Sequence, residues 1–495
     1  MVFGDVHGFS DRVAVLTQQG EFFRAGGPVW IARAPGRLDV LGGNVDFTGG
    51  LVLQMPLRQS VWAAVQLHDG QSIRILNPGA AQFGWQAEIE FPAGLIGSAQ
   101  AIENYCASDA ARHWGRYVLG GLHLLHKRHG AFSRGGANLF LASDLPPNRG
   151  LASSAALEVA VLKAASAACS IKLSGVALAE SAQWVENVIA HSACGIMDQA
   201  AIVLGRENSL LPILCQPCTT LPPVRLPGDL RVWGIDSMTS RATGSAAYEQ
   251  ARAASFMGYR MICRWESIEP ERDSSSSISR WTDARWKGYL SNLTTSEFRA
   301  LYEKKLPETM RGDEFLDCFG FHADSFTAVD REAVYPIRAA VRYAVEENSR
   351  IRMARTLLSA IREENRLEAQ EETLRLFGEL FFESHLAYSE CGLGSAGCDE
   401  LVAMARCRGF FGARMTGGGG GGVVAVLGRA DQQDSLLQMA KEYAAAHDGS
   451  PRIFAESSNG TDFFPAHPSA AHALPAGMLP LTGHGLPQNY ADGSS

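Results

Sequence analysis

Several features that would indicate particular functions are missing from this chain of 495 residues. It has no excess of basic charge: 44 Lys and Arg against 52 Asp and Glu give a net charge of -8, so no stretch neutralises a nucleic-acid backbone. No apolar run reaches the length that spans a bilayer. The first twenty residues carry Asp5, Asp11 and Arg12 without an apolar core, which is not the pattern of a signal peptide. The sequence therefore predicts a cytoplasmic protein with neither a nucleic-acid nor a membrane partner.

The cysteines also lack the spacing of a metal site or a disulfide framework. There are ten of them, scattered through a chain that is long enough for two or three domains. Cys215 and Cys218 form a single CxxC, and the ligand set for zinc is incomplete because no second pair lies nearby. Reduced thiols in a cytoplasm fit this pattern.

The most informative stretch is SDLPPNRGLASSAAL, residues 143–157, which follows a short apolar strand candidate at 137–141. Two prolines end the regular structure, Gly150 permits a tight loop, and a buried helix is predicted beyond it. A helix start offers unpaired N–H groups, and small residues there let a phosphate approach the backbone. Ser153 and Ser154 add hydroxyls that reach a phosphate or its magnesium. An ordinary Ser-capped helix is the alternative, and a Walker A loop is excluded because no Gly-Lys-Ser/Thr follows.

Charged residues among glycines mark a second motif, APGRLDVLGGNVDFTGG, at residues 34–50. A strand is predicted at 29–34 before it and further strands at 51–67 after it. Arg37, Asp39 and Asp46 supply the charge, and a simple hairpin with turn-type Gly and Asp is the alternative reading.

The second half of the chain contributes further candidate site residues. Glu186 lies among apolar residues of a predicted helix at 179–190 and is costly to bury unless paired or bound to a metal. Asp198 follows in CGIMDQ, where a lone Asp is by itself typical of a cap or turn. A strand at 230–235 indicates passage into a second domain, and 351–382 predicts a helix with a solvated face. Gly417–Gly422 precede a strand, which favours close backbone contact over a flexible linker.

Together and in this order, these motifs resemble a known family. APGRLDVLGG, GLASSAALEVA and RMTGGGGGGVV resemble the three signatures of the GHMP small-molecule kinases. VENVIAHSACGIMDQ and SHLAYSECGLGSAGCDELV resemble the galactokinase branch, and GRLDVLGG, LVLQMPLRQ and ILCQP resemble the kinase part of the L-arabinokinases. The resemblance covers roughly residues 28–460.

The resemblance implies an α+β fold of two domains with the active-site groove between them. We expect an N-terminal segment at 1–27, an ATP-binding domain at 28–228, a C-terminal domain at 229–460 and a disordered tail at 461–495. It also implies roles for matching residues. These are catalysis by Asp198 with Arg37; phosphate binding by Gly150, Leu151, Ala152, Ser153, Ser154 and Ala155; magnesium binding by Ser154 and Glu186; and sugar binding by Arg37, Asp39, Asp46, Asp198, Tyr248, Gly418 and Gly419.

The implied activity is transfer of the γ-phosphoryl group of ATP, with Mg²⁺, to the anomeric hydroxyl of a monosaccharide. The expected partners are thus a small sugar and ATP. Galactokinases have a Glu-His pair beside the hydroxymethyl group of galactose, where this chain has Gly43 and Asn44. L-Arabinose lacks that group and is the expected substrate. A galactokinase, a uronic-acid 1-kinase and a non-catalytic sugar sensor are the alternatives. Two more departures, His191 for Gly and Ala193 for Pro, bear on the geometry around Asp198.

Overall fold

The computed structural model describes residues 4–20, 22–133, 135–239, 244–273, 280–363, 367–447 and 449–468. Helices and strands are both abundant, which confirms the predicted α+β class. The ten cysteines all lie in these segments, and all are free thiols. Within the described residues, no helix combines the length and the apolar character that crossing a lipid bilayer requires.

Most strands belong to two sheets, and the first of them also takes in β17 from the end of the described chain. In chain order the strands are β1 (Trp30–Leu41), β2 (Leu51–His68), β3 (Ser72–Leu76), β4 (Glu88–Pro92), β5 (Gly136–Ser143), β6 (Ser209–Leu214), β7 (Thr219–Thr220), β8 (Val224–Arg225), β9 (Leu230–Asp236), β10 (Glu271–Asp273), β11 (Arg280–Thr282), β12 (Met310–Arg311), β13 (Val334–Tyr335), β14 (Gly412–Met415), β15 (Val423–Arg429), β16 (Ile453–Phe454) and β17 (His467–Pro468). The first sheet has the order β17-β1-β2-β5-β3-β4, with β6 paired to β2 and carrying β7 and β8. The second has the order β14-β15-β9-β16 and is antiparallel throughout.

The helices cover these sheets. They are α1 (Gly4–Gln19), α2 (Ala99–Ala107), α3 (Gly115–His129), α4 (Ser153–Ala168), α5 (Gly175–Trp184), α6 (Met197–Leu204), α7 (Gly244–Trp265), α8 (Thr295–Leu301), α9 (Gly312–Phe319), α10 (Ile337–Glu363), α11 (Leu367–Tyr388), α12 (Ala396–Cys407) and α13 (Gln433–Ala446). Helix α4 packs directly on β1 and β2, because alanines and valines line its buried side. This packing fixes the loop before α4 at one end of the central strands.

Strand β1 is longer than the sequence predicts. It continues from Trp30 through the glycine-containing motif to Leu41, with irregularities after Pro35 and Asp39. Strand β1 pairs antiparallel with β2 and residues 42–50 connect the two, so the hairpin reading is confirmed, although residues 35–41 belong to the strand and not to the turn. Arg37 and Asp39 are almost wholly buried in the strand. Charged residues are tolerated there because distant residues pair with both of them.

The predicted helix at 351–382 is divided between two helices. Residues on either side of 364–366, which lie outside the described residues, belong to α10 and α11. These helices pack on each other, and α11 covers β14 of the second sheet. A separate apolar core, with Tyr259, Trp286 and Phe298 among its members, joins α7, α8 and α10.

Both ends of the described chain pack on the first sheet. Helix α1 lies in the predicted N-terminal segment, and Phe9 stacks near Trp62 and Phe140 in a small apolar cluster. Residues 461–468, which the sequence assigns to the tail, form a helical turn and β17. They are ordered because His467 and Pro468 pair with the first residues of β1. The rest of the predicted tail, 469–495, lies outside the described residues.

Candidate active site

The candidate active site is a cavity of about 390 Å³ at the end of β1, beside the loop before α4. One wall comes from the first sheet and its helices, including Arg37, Ser154 and Asp198. Tyr248 of α7 and Gly418, just before β15, close it from the other half of the chain. The cavity therefore joins residues from motifs that are far apart in sequence.

The loop before α4 presents an uncapped helix start to this cavity. Gly150 and Ala152 have positive φ angles of 74° and 59°, which turn the chain sharply into Ser153, the first helical residue. Among the described residues, no side chain caps the helix, so the alternative of a Ser-capped helix is wrong. Gly150, Ala152, Ser153 and Ser154 line the cavity. Backbone N–H groups of the first turn are thus available to an anion.

Two other predicted phosphate-loop residues lie behind this surface. Leu151 is buried, and its carbonyl accepts the backbone N–H of Arg37 at 3.1 Å. Ala155 is fully buried in the core between α4 and the sheet. Their side chains support the loop, and any contact they make with a phosphate would come from the backbone.

Ser154 and Glu186 form a buried hydroxyl–carboxylate pair. The Ser154 hydroxyl donates to Glu186 Oε1 at 2.8 Å, and the Gln199 amide donates to Glu186 Oε2 at 2.7 Å. Glu186 lies in a π-helical turn, Val185–Ile189, that follows α5. Burial raises the pKa of Glu186 to about 7, and the Asp198 charge adds to this effect. The pair is a set of hard oxygen donors in a place where a cation would stabilise the ionised carboxylate.

Arg37 and Asp198 form an ion pair at the edge of the cavity. Arg37 Nε and Nη2 both donate to Asp198 Oδ1, at 2.9 and 2.6 Å, and Nη1 donates to the Gly150 carbonyl. Arg37 is 2% exposed whereas Asp198 is 23% exposed, so Asp198 is the member that faces the cavity. Because both Arg37 bonds go to Oδ1, Oδ2 receives no bond from Arg37. That oxygen is in position to accept a proton.

Asp46 and Tyr248 line the same cavity near this pair. Burial and, to a smaller extent, the neighbouring Asp198 charge raise the pKa of Asp46 to about 7. Its Oδ1 accepts the Phe47 backbone N–H at 2.6 Å. The Phe47 ring packs edge-on against Tyr248, with ring centroids 5.8 Å apart. Asp46 and Tyr248 thus present two hydrogen-bonding side chains to the cavity.

Asp39 does not join this group, which corrects its prediction as a sugar ligand. Its carboxylate is fully buried and pairs with Arg414, which is also fully buried, at 3.2 Å. The backbone N–H of Gly43 and the side-chain amide of Gln54 donate to the two carboxylate oxygens at 2.8 and 2.7 Å. These partners saturate Asp39 and turn it away from the cavity. Its role is to hold the strand against the second sheet.

The run Gly417–Gly422 lies against the loop before α4. A Cβ atom on Gly422 would lie 2.5 Å from the Arg149 carbonyl oxygen, and one on Gly417 would lie 2.8 Å from that of Gly150. Only glycine permits this approach, which confirms the expected close backbone contact. Gly418 lines the cavity. Gly419 is not among the cavity-lining residues, and a Cβ atom on it would lie 2.7 Å from Leu393, so its place among the sugar ligands stays a prediction.

The two departures near Asp198 leave the Arg37–Asp198 pair in place. His191 has a φ angle of 54°, so it adopts the left-handed conformation that glycine takes without strain. Its ring lies 3.5 Å from Glu103. Ala193 lines the cavity.

The sequence analysis missed the aromatic end of the cavity. Phe83, Trp85, Trp114 and Tyr117 line the end that extends from Ser153 towards the segment Pro78–Phe83. Flat aromatic side chains of this kind stack on nucleobases. The pair Phe83 and Trp85, beside a Pro-Gly turn, was the only signal for it in the sequence.

Three regions of the chain match models of known protein families. Residues 20–67 match the galactokinase galactose-binding signature, 116–206 match the GHMP kinases N terminal domain, and 358–446 match the GHMP kinases C terminal domain. The cavity residues Arg37, Asp46, Ser154, Glu186 and Asp198 fall within the first two regions.

Similar proteins include two kinds of sugar kinase. An L-arabinokinase of Arabidopsis thaliana is 31% identical over 487 residues, which cover 88% of this chain. The chain spans about half the length of that relative, 46%. A galactokinase of Roseiflexus is 28% identical over 429 residues, covering 86% of this chain and 89% of the relative.

Solved structures show the same fold. The galactokinase of Lactococcus lactis, complexed with galactose, superposes with a TM-score of 0.69 at 20% identity, covering 91% of this chain and 98% of that one. The mevalonate kinase of Methanococcus jannaschii superposes with a TM-score of 0.53 at 14% identity, covering 88% and 99%.

Proposed function

Because this chain belongs to the GHMP kinase superfamily, in its galactokinase branch, we propose that it is an ATP-dependent sugar 1-kinase. The observation that carries the proposal is the presence of two pairs, Arg37–Asp198 and Ser154–Glu186, in one cavity beside an uncapped helix start. The first pair suits proton removal from a hydroxyl, and the second suits a metal-bound phosphate. Similarity to L-arabinokinase and galactokinase supports the same activity.

The proposed base is Asp198. The sugar's anomeric O–H gives its proton to Asp198 Oδ2, a new bond forms between that sugar oxygen and the γ-phosphorus, and the bond from phosphorus to the bridging oxygen breaks to release ADP. Arg37 orients Asp198 through two hydrogen bonds and stabilises negative charge that develops on the sugar oxygen. Phosphoryl transfer depends mainly on positioning and charge neutralisation, which the helix start of α4 supplies to the phosphates.

Mg²⁺ fits the residues present at Ser154 and Glu186. A buried carboxylate that is bonded to a hydroxyl, and whose pKa burial raises, gains stability from a nearby hard cation. The ion, when bound with ATP, supplies charge neutralisation to the phosphates. Ser154 and Glu186 would hold it, and Gln199 would keep Glu186 oriented.

Replacing these two residues should weaken the response to magnesium. Ser154→Ala and Glu186→Gln should each raise the Mg²⁺ concentration that gives half-maximal rate, because each removes an oxygen ligand or its charge. The measurement is initial rate against free Mg²⁺ at saturating ATP and sugar. Ser143→Ala is the matched control, since this serine also lines the cavity, has no proposed phosphate or metal role, and should leave the Mg²⁺ titration unchanged. Parent-like titrations for both ligand variants would place the metal elsewhere.

The activity itself is tested by following ATP and sugar together. The protein is incubated with ATP, Mg²⁺ and single sugars, and ³¹P NMR identifies whether a sugar 1-phosphate forms as ADP accumulates. A product phosphorylated at another oxygen would contradict the assigned geometry. Sugar binding without ATP consumption would identify a non-catalytic sensor.

We further propose that L-arabinose is the preferred substrate. The segment Gly42–Asn44 is packed closely by two tyrosines of the C-terminal half: Tyr343 donates to the Gly42 carbonyl at 2.9 Å, and the Tyr388 hydroxyl bonds the Asn44 side chain at 2.9 Å. A Cβ atom on Gly43 would lie 2.9 Å from the Tyr343 hydroxyl. A longer side chain at residue 43 would therefore displace the tyrosines. This crowding supports a site without the Glu-His pair that galactokinases place by the hydroxymethyl group.

L-Arabinose should give a higher kcat/KM than D-galactose, and a third sugar reveals the reason. D-Fucose has the galactose ring pattern with a methyl group in place of the hydroxymethyl group. If the site lacks only a hydrogen-bond partner for the hydroxyl of the hydroxymethyl group, we expect D-fucose to react about as well as L-arabinose. The kcat/KM of D-galactose should then be lower by the equivalent of about 1–3 kcal/mol. If the site excludes the extra carbon, both hexoses should be poor. A strong preference for D-galactose, or for D-galacturonic acid, would contradict the assignment.

A further inference from the structure

A second cavity, of about 340 Å³, lies next to the candidate active site. The two cavities share Asp46 and Cys194. The other lining residues come from both halves of the chain: they include Glu180, Gln183 and Cys215 of the N-terminal half, and Arg252 and Phe256 of α7 with residues from 280–289 and 323–326 of the C-terminal half. Its volume is within the range of sites that hold small molecules.

Two buried polar groups of this cavity have no hydrogen-bond partner among the described residues. They are Arg252 Nη1 and Ser325 Oγ. Arg252 is 3% exposed, and its Nε and Nη2 form a two-pronged pair with Asp324 at 2.8 and 2.9 Å. Arg252 Nη1 takes no part in this ion pair. Buried donors without partners are uncommon in folded proteins, and a cavity beside them indicates a ligand that completes their bonds.

The cavity is nearly balanced in charge. Asp324 neutralises Arg252, and the lining includes one further cation, Arg280, and one further anion, Glu180, besides Asp46. Arg280 donates to the Tyr289 hydroxyl at 2.8 Å. A strongly charged ligand would meet an uncompensated carboxylate or guanidinium, so the balance favours a neutral one.

The apolar part of the lining is aromatic. The rings of Phe47, Phe256 and Phe326 lie 5.0, 5.7 and 5.4 Å from the Arg252 guanidinium carbon. Their negative ring faces attract positively polarised C–H groups as well as the cation. A ring with C–H groups on one face and hydroxyls around its edge matches both this surface and the two unpartnered groups.

We propose that this cavity is a second carbohydrate site, which binds a neutral pyranose ring beside the catalytic sugar. Arg252 Nη1 and Ser325 Oγ bond its hydroxyls, and the phenylalanine rings cover its C–H face. The inference goes beyond the kinase activity, because binding here requires no phosphoryl transfer. The ring comes either from a separate monosaccharide or from the second unit of a reducing disaccharide. Since Asp46 borders both cavities, an occupant of one site should change the affinity of the other, and the coupling should be reciprocal.

Equilibrium binding to the full chain without ATP tests the proposal. Calorimetric titration with L-arabinose and D-galactose reports the number of monosaccharides bound per chain. Titration with a β-1,3-linked and a β-1,4-linked galactobiose reports whether a disaccharide spans the two cavities. Two monosaccharides per chain identify a separate ligand. One disaccharide per chain, bound more tightly than galactose, identifies a spanning ligand.

Variants at Ser325 assign the binding to this cavity. Ser325→Leu removes the hydroxyl and narrows the cavity with a larger apolar side chain, so it should abolish binding of the second monosaccharide or reduce disaccharide affinity to that of galactose. Ser325→Ala removes only the hydroxyl and should weaken the same binding by about three- to tenfold. Ser296→Leu, an exposed serine of α8, is the matched control and should bind like the parent.

A single monosaccharide per chain, with disaccharide affinities that Ser325→Leu and Ser325→Ala leave unchanged, would overturn the proposal. Because this readout is binding, it is independent of the proposed kinase activity. If the protein phosphorylates sugar but shows no Ser325-dependent binding, only the proposal of the second site is contradicted. If the protein shows such binding without ATP turnover, only the proposed kinase activity is contradicted.

Discussion

Asp198→Asn should reduce kcat by about 10²–10⁴-fold, the loss typical when a general base is removed. Asparagine has nearly the same volume, and its Oδ1 still accepts the two Arg37 bonds that measure 2.9 and 2.6 Å in the parent. The position of the free Oδ2, however, is taken by an NH₂ group, which donates hydrogen bonds and accepts no proton. The loss should therefore fall on turnover, while the affinity for sugar stays close to that of the parent.

Steady-state kinetics with the preferred sugar and calorimetric sugar binding separate these two effects. Asp317→Asn provides the matched control: it makes the same chemical change in an exposed ion pair with Arg331 and should leave both quantities unchanged. Turnover near that of the parent in Asp198→Asn would remove this residue from the mechanism. Equal losses in turnover and sugar affinity would make it a sugar ligand only.

Asp39→Ala should lower the free energy of unfolding by about 3–5 kcal/mol, the cost of breaking a buried ion pair from one side. The substitution leaves Arg414 charged and fully buried, with the Gly43 N–H and the Gln54 amide also losing their acceptor. Arg414 already has two guanidinium nitrogens without partners among the described residues. The remaining neighbours of Arg414 therefore offer few acceptors that could replace the Asp39 carboxylate.

Replacing both members of the pair distinguishes a structural role from sugar binding. Asp39→Ala with Arg414→Met removes both charges, and most of the lost stability should return because an apolar pair of similar volume avoids the desolvation cost. The measurement is the midpoint of urea unfolding for the parent, the single variants and the double variant. A normal midpoint for Asp39→Ala together with a loss of sugar affinity would restore the original prediction that Asp39 binds sugar.

Helices, strands and loops with local sequence signals were predicted well. The loop before α4 was readable because its signals are local: prolines, a glycine and small residues immediately before an apolar helix. The strands at 137–141 and 230–235 and the strand after Gly422 were also predicted correctly, since their apolar residues follow one another in the chain. The roles of Ser154, Glu186 and Asp198 came from resemblance to a family, and they remain proposals.

Other features depended on residues that are distant in sequence. Asp39 and Asp46 look alike in the motif at 34–50, since each is an aspartate close to glycine. Arg414, 375 positions further along, pairs with Asp39 and withdraws it from the cavity. Gly418 and Gly419 are likewise neighbours in a run of glycines, and only the structure shows that Gly418 lines the cavity.

The sequence by itself determined the family, the α+β class and the segments that meet at the cavity, because each of these can be recognised from a short contiguous stretch of residues. The tertiary structure alone decided which charged side chains reach the cavity and which form ion pairs away from it. It alone revealed the aromatic end of the active site and the second cavity around Arg252 and Ser325. The physical reason is that the burial and the pKa of a charged group depend on its surroundings in space, and most of those surroundings come from distant parts of the chain.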